Sequence, residues 1–189
     1  MSVKILSTKL VHDGWLKLRV ATLSGDDGQE FNREIEDHGR AVAVLPYDPD
    51  RRAALLVQLP RAPVLYRGEA SDFLEAPAGI LEDGEQPEDC ARREAHEEAG
   101  VVLRDLEPAG SVWSMCGIST EKMELYLAPY GAADRTGEGG GLSGEHENIT
   151  VVEIPLADLA AMADRNALAD MKTLGLLMIL RVRHPRLFS

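Results

Sequence analysis

Alternating apolar and polar positions mark the first forty residues of the chain. Such alternation is the pattern of strands with one buried face, and it predicts three of them, over Val3–Leu10, Gly14–Leu23 and Glu30–Glu36. Turn signals rich in Asp and Gly separate these segments. We therefore predict a small antiparallel β segment over residues 1–38, which is either an ordinary part of the core or an arm that packs on a partner subunit.

The pattern changes at Gly39, where apolar residues become continuous. Uninterrupted apolar runs indicate strands buried on both faces, and they occupy Arg40–Leu45 and Ala53–Leu59. Residues 39–189 are therefore predicted to form a second domain. Its further strands are predicted over Leu106–Met115, Met123–Ala128 and Thr150–Ile154, and its last helix is predicted over Leu174–Val182.

A helix with clear start and stop signals is predicted between Pro87 and Gly100. Proline is favoured in the first turn, where no amide donor is needed, and glycine is favoured just beyond a helix end. Small residues recur at every fourth position between them, at Ala91, Ala95 and Ala99. They form one narrow face that can lie close on a sheet.

Three carboxylates crowd the second half of this helix. Glu94, Glu97 and Glu98 lie within about one turn of each other, so they repel unless a cation sits among them. A hard, oxygen-binding ion such as Mg²⁺ relieves that repulsion. Arg93 is placed to pair with a neighbouring acid such as Glu85. The alternative is a solvated acidic helix face, which is the commoner outcome for such runs.

The spacing of these residues resembles the signature of the Nudix hydrolases. Gly79 is followed after five residues by Glu85, and after seven more by the run REAHEEAGV, which begins at Arg93 and ends at Val101. The resemblance implies an α/β fold, the Nudix α/β/α sandwich with a mixed sheet, preceded here by the small N-terminal antiparallel β piece. It implies enzymes that use Mg²⁺ to split a diphosphate joined to another group. Within this box, structural roles are implied for Gly79, Glu85, Arg93 and Gly100.

Segments outside the box resemble the nucleotide-sugar branch of this family, which includes GDP-mannose and ADP-ribose pyrophosphatases. They are the lead-in Glu75–Ala78, the glycine-rich loop over 131–148 with its glutamates, and the pair Lys172-Thr173. The branch implies hydrolysis of a nucleoside diphosphate sugar to a nucleoside monophosphate and a sugar phosphate. In this branch an N-terminal sheet precedes the catalytic domain and joins a homodimer.

The resemblance implies a metal site built mainly on the box helix, with Mg²⁺ as the expected ion and Mn²⁺ as an alternative. A carboxylate of the box helix or of the glycine-rich loop is implied as the base that activates water. The implied metal ligands are the carbonyl of Ala78 and the carboxylates of Glu94, Glu97, Glu98 and Glu147, and the candidate bases are Glu98, Glu145 and Glu147.

Three residues outside the box are candidates for binding the substrate. Arg61 and Lys172 match cations that contact substrate in related nucleotide-sugar hydrolases, and surface positions are the alternative for both. Glu75 faces either the substrate or a subunit interface, and its alternative is an unremarkable surface carboxylate. Lys172 has a capping role as a further alternative.

Two other functions stay open at this point. An ADP-ribose pyrophosphatase is the nearest rival, although Cys116 stands roughly where such enzymes usually have a proline. The other is a Nudix-like module that senses a ligand without turnover. Such modules often have eroded boxes, whereas this box is complete.

Composition limits the kinds of partner and the cellular compartment that we expect for this protein. The net charge of −12 argues against non-specific binding of nucleic acid, because a phosphate backbone needs a basic counterpart. No apolar run approaches the ~18 residues of a membrane span, and the N-terminus lacks a signal-peptide pattern. We expect a cytoplasmic protein whose two cysteines, Cys90 and Cys116, are reduced and buried.

Overall fold

A computed structural model describes residues 2–69, 73–142, 144 and 148–189, and its contacts divide the chain into two units. The first unit contains the N-terminal residues up to Arg40 together with Val112–Met123. The second unit contains Ala41–Ser111 and Glu124–Ser189. All described residues of the candidate site belong to the second unit.

The N-terminal strands form a separate antiparallel sheet, as the alternation predicts. Its order is β1-β2-β3, with β1 at Lys4–Asp13, β2 at Lys17–Ser24 and β3 at Glu30–Asp37. The strand ends lie within a few residues of the predicted ones. Every residue of β1 is exposed, whereas Ala21 in the middle of β2 is fully buried.

The large sheet has seven strands, and five of them follow the order β10-β5-β4-β9-β8. The two short strands β6 and β7 pair with β5 and β4, and both pairings are antiparallel. The strand bounds are β4 (Arg40–Asp48), β5 (Ala53–Leu59), β6 (Phe73–Glu75), β7 (Ala78–Ile80), β8 (Glu107–Trp113), β9 (Lys122–Pro129) and β10 (Thr150–Pro155).

Both faces of the central strands are buried, which explains their continuous apolar sequence. Side chains alternate across a strand, so Val42 and Val44 of β4 point to one face and Leu45 points to the other. The first face packs against the small residues of the box helix, in one cluster with Leu55 and Tyr126. Side chains without any exposure from the C-terminal helices complete the core, namely Leu156, Leu159, Leu176, Leu177 and Leu180.

Within the described residues, four α-helices accompany the strands, with short 3₁₀ turns at Ala132–Asp134 and Pro185–Phe188. The first helix, which contains Pro63, was not predicted from the sequence. Proline fits a helix start, however, and Pro63 stands in the first turn. The helix bounds are α1 (Ala62–Tyr66), α2 (Pro87–Ala99), α3 (Leu156–Asp164) and α4 (Met171–Arg183).

The two cysteines are both free but differ in burial. Cys90 has no exposed surface, as predicted, and burial raises the pKa of its thiol to about 12. Cys116 is exposed, so the prediction that it is buried was wrong. It lies in the loop between β8 and β9, beyond the strands whose pairing and packing bury side chains.

None of the helices within the described ranges is both long enough and apolar enough to cross a bilayer.

Candidate active site

The box helix α2 is placed by its small residues and its two ends. Pro87 occupies the first turn, and Gly100 ends the helix in the left-handed conformation with φ 66°. The small face predicted from the four-residue spacing is fully buried against the sheet. Because no long side chain separates helix from sheet, the backbone of α2 lies close to the strands that carry the rest of the site. The buried small residues are Ala91, Ala95 and Ala99.

Arg93 links three carboxylates of the box. Its guanidinium donates to both carboxylate oxygens of Glu85, at 2.9 and 3.0 Å, so the predicted pair is present. Its Nη1 atom donates to Glu94 at 2.8 Å and to Glu97 at 3.2 Å. The hydrogen bonds from Arg93 lower the pKa of Glu85 to about 2. Arg93 thus fixes the directions of the box carboxylates.

Glu98 joins α2 to the lead-in segment. Its side chain is buried, with the residue 4% exposed, and its Oε2 accepts the backbone N–H of Ala78 at 3.0 Å. On the other side of the segment, the carbonyl of Pro77 accepts the N–H of Val44 in β4 at 2.9 Å. The lead-in is therefore held between the central sheet and the Glu98 carboxylate.

Gly79 leaves room for a second carboxylate beside the lead-in. A Cβ atom at this position would lie less than 3.0 Å from all three atoms of the Glu94 carboxylate group. Any larger residue would have to push Glu94 aside. The first glycine of the box is thus explained by the close approach of Glu94 to the strand.

The donors collected here suit a hard divalent cation. Carboxylate oxygens of Glu94 and Glu98 approach two consecutive backbone positions, Gly79 and Ala78, and oxygen ligands of this kind are those that Mg²⁺ prefers. In the described ranges, no three Asp, Glu, His or Cys side chains are already grouped tightly enough to hold a metal. Arg93 instead supplies the positive charge between Glu94 and Glu97. The donor set therefore fits a metal that takes its remaining ligands from elsewhere, and the predicted Glu145 and Glu147 lie outside the described residues.

A second charged group, here called the Glu75 cluster, comprises Arg61, Glu75, Asp170, Lys172 and Thr173. Glu75 is 2% exposed and accepts two hydrogen bonds from Arg61, at 2.6 and 3.0 Å. Its other partner is the ammonium group of Lys172. Burial raises the pKa of Glu75, but the hydrogen bonds and charges of Arg61 and Lys172 outweigh burial and leave the pKa below its ordinary value. The surface-carboxylate alternative for Glu75 was wrong, because the two cations offset the cost of burying it.

Asp170 and Thr173 tie this cluster to the start of α4. Asp170 caps the helix by accepting the backbone N–H of Thr173 at 3.0 Å. The hydroxyl of Thr173 donates to Asp170 at 2.5 Å and accepts the N–H of Ala76 at 2.6 Å. The sequence analysis named Thr173 only as part of the pair with Lys172 and gave Asp170 no role, although an Asp three positions before Thr at a helix start is a recognisable capping signal.

The segment Glu75–Ala78 connects the two charged groups. Its first residue binds the cations Arg61 and Lys172, and its last residue binds Glu98. The structure thus brings the predicted substrate-binding residues Arg61, Glu75 and Lys172 into contact. Three positions after Glu75, it places Ala78 against Glu98 of the predicted metal site.

Comparison with known proteins identifies the family. The NUDIX domain family matches residues 37–172. The chain belongs to the Nudix family. The prediction of a Nudix hydrolase is therefore confirmed.

Relatives of similar length agree with the branch predicted within the Nudix family. GDP-mannose pyrophosphatase of Cronobacter sakazakii is 33% identical over 188 residues, which cover 97% of each protein. The protein of that name from Pectobacterium atrosepticum is 33% identical over 93% of this chain and 92% of the relative. The one from Escherichia coli is 29% identical over 96% of both.

A solved structure confirms the Nudix fold. The crystal structure of an ADP compounds hydrolase matches 98% of this chain and 96% of its own, with a TM-score of 0.79 and 19% identity. The predicted α/β class, with a small antiparallel sheet before the Nudix domain, is confirmed. Nudix pyrophosphatases need a divalent metal ion, and the carboxylates of this Nudix box are of the kind that binds one.

Replacing Glu75 by Gln is expected to destabilise the fold by about 3 kcal/mol at neutral pH, because two cations lose a buried counter-charge. The pKa of Glu75 is depressed in the fold, so its stabilisation is present above the ordinary value of 4.5 and is lost as the pH falls through the folded value. Urea unfolding of both proteins between pH 3 and pH 8 measures the effect. The exposed control, Glu69→Gln, should change stability by less than about 0.5 kcal/mol. A stability loss that stays constant down to pH 3 would contradict this explanation.

Proposed function

We propose that this chain hydrolyses the diphosphate bond of a nucleoside diphosphate sugar, such as GDP-mannose, to a nucleoside monophosphate and a sugar phosphate. The observation that carries the proposal is the segment Glu75–Ala78, which connects the carboxylates of the box to the cations Arg61 and Lys172. A diphosphate substrate needs a metal-binding group and cations for its remaining charge. The names of the three relatives support the same substrate class.

In this proposal the box holds Mg²⁺, with Mn²⁺ as a substitute. Ala78, through its carbonyl, and the carboxylates of Glu94 and Glu98 are the main ligands, joined by Glu97 and by Glu147 of the loop. Held by these residues, the ion would neutralise charge on the diphosphate and would lower the pKa of the attacking water. A carboxylate accepts the proton of the attacking water, and the candidates for this base are Glu98, Glu145 and Glu147.

The Glu75 cluster is proposed as the part of the site that recognises the substrate. Arg61 offers a planar set of donors suited to phosphate, and Lys172 offers a compact positive charge. Glu75 fixes the positions of both cations, since its carboxylate is buried and accepts a hydrogen bond from each. Substrate affinity should therefore depend on all three residues.

We propose the division of the chain at 38/39 as a functional one, with a dimerising β segment before the catalytic domain. The first strand β1 is exposed along its whole length and carries the apolar side chains Ile5, Leu6 and Val11, each about half exposed. An exposed edge strand with apolar side chains favours association. A second copy of the chain is the proposed partner.

The free cysteines agree with the proposed cytoplasmic location.

The substrate class is tested by Mg²⁺-dependent hydrolysis of a panel that contains GDP-mannose, ADP-ribose, other nucleotide sugars, diadenosine polyphosphates and nucleoside triphosphates. We expect nucleotide sugars to be turned over fastest, with a monophosphate and a sugar phosphate as products identified by chromatography. A clear preference for ADP-ribose would select the rival enzyme. Binding of metal and nucleotide without any turnover would favour the sensing module.

The metal assignment predicts that Glu98→Gln lowers kcat/KM by at least about 100-fold, because it removes a ligand charge from the metal. The amide oxygen of Gln can still accept the N–H of Ala78, so circular dichroism and thermal unfolding should remain close to wild type. Glu88→Gln is the matched control, since Glu88 lies exposed in the first turn of the same helix. Wild-type turnover by the Glu98 variant would refute the assignment.

The dimer proposal predicts that Ile5→Lys converts a dimer into a monomer, because a charge would be buried between the copies. Light scattering coupled to gel filtration measures the mass. Thr8→Lys adds the same charge to another exposed position of β1 and should weaken the dimer less. A wild-type chain that elutes as a monomer at all concentrations rules the proposal out.

A further inference from the structure

Within the glycine-rich loop, the segment Gly137–Gly141 lies against the last turn of α2. Gly140 donates its N–H to the carbonyl of Glu98 at 2.9 Å, and Gly141 donates to the carbonyl of Glu97 at 3.0 Å. The last four carbonyls of a helix have no partner within the helix. The glycine segment therefore supplies donors to the carbonyls of two residues whose side chains form part of the box.

Gly100 and Val102, just beyond the helix end, are hydrogen-bonded to residues 134–137. The carbonyl of Gly100 accepts from the N–H groups of Thr136 and Gly137, at 3.0 and 3.1 Å. The N–H of Val102 donates to the carbonyl of Asp134 at 2.9 Å. Five backbone hydrogen bonds thus fasten the end of α2 to residues 134–141. This part of the glycine-rich loop is therefore anchored.

Only glycine permits this contact at Gly139. Its φ is +72°, and a Cβ atom would lie within 3.0 Å of the Glu98 carbonyl oxygen and of the Ala99 backbone. Gly100 shows the same constraint from the helix side, where a Cβ atom would collide with the backbone of Gly137 and Gly139. These obstacles are backbone atoms, which cannot swing aside as a side-chain end can. Two stretches of main chain are therefore in direct contact.

We infer that the glycine segment is a positioning element for the metal ligands, acting through the backbone of Glu97 and Glu98. Glu98 is held at two points, because its carbonyl accepts from Gly140 and its carboxylate accepts from Ala78. Acidic residues in a last helical turn face the negative end of the helix dipole, and N–H donors at that end offset the negative charge. The inference rests on the proposed function, which makes these glutamates the metal ligands.

The test compares two glycine-to-alanine changes in one loop. Gly139→Ala forces the segment away from Glu98, whereas Gly144→Ala is the matched control, since a Cβ atom there meets nothing within 4 Å. Mn²⁺ affinity is measured by electron paramagnetic resonance on each folded protein without substrate, and kcat and KM are measured in parallel. We expect Gly139→Ala to weaken Mn²⁺ binding about 10- to 100-fold, as loss of a supporting group around metal ligands typically does, and Gly144→Ala to have little effect.

The outcomes separate a positioning role from a purely structural one. Lower thermal stability of Gly139→Ala with wild-type Mn²⁺ affinity would overturn the inference and leave the proposed function intact. If Gly139→Ala does not fold, Gly140→Ala takes its place. Its Cβ atom would meet nothing closer than 3.9 Å, but its φ of +106° disfavours alanine, so a smaller loss of Mn²⁺ affinity is expected. A wild-type chain that binds no Mn²⁺ overturns the inference and the proposed metal site together.

Discussion

The hydrogen bond from the N–H of Ala78 to the carboxylate of Glu98 is the contact on which the arrangement of the site depends. It joins a helix to a strand segment that is distant from it in sequence, and it requires both backbones to lie close together. The alanine face of α2 makes that approach possible, and Gly79 admits the second carboxylate. Packing of small residues is thus the physical condition for collecting oxygen donors at one place.

Burying carboxylates is costly, and the chain offsets the cost with arginine and lysine in two groups. Arg93 binds Glu85, Glu94 and Glu97, while Arg61 and Lys172 bind Glu75. The Glu75 cluster is balanced in charge, because Arg61 and Lys172 face Glu75 and Asp170. In the box a single cation, Arg93, faces three carboxylates, so this group keeps a net negative charge that a bound cation offsets. Removing one member leaves an uncompensated charge in a poorly solvated place, so each group is stable only as a whole.

The end of the box helix combines close backbone contact with compensation of negative charge. Its glutamates stand where the helix dipole is unfavourable, and its carbonyls need donors from outside the helix. The segment Gly137–Gly141 supplies those donors through main-chain contact alone. The glycine segment, which precedes Glu145 and Glu147 in the sequence, is thus hydrogen-bonded to the helical turn that carries Glu97 and Glu98.

The sequence by itself determined the elements whose causes are local. Alternation predicted the N-terminal strands, and continuous apolar runs predicted β4 and β5. Pro87 and Gly100 predicted the ends of α2, and the spacing of the box predicted the family and the Arg93–Glu85 pair. Only the tertiary structure decided that Glu75 is buried, that Cys116 is exposed and that Gly137–Gly141 is anchored to the end of α2. The partners of Glu75 and Ala76 in α4 lie 97 residues away along the chain. Local patterns describe neighbours within a few residues, so contacts of this kind follow only from the packing of the whole domain.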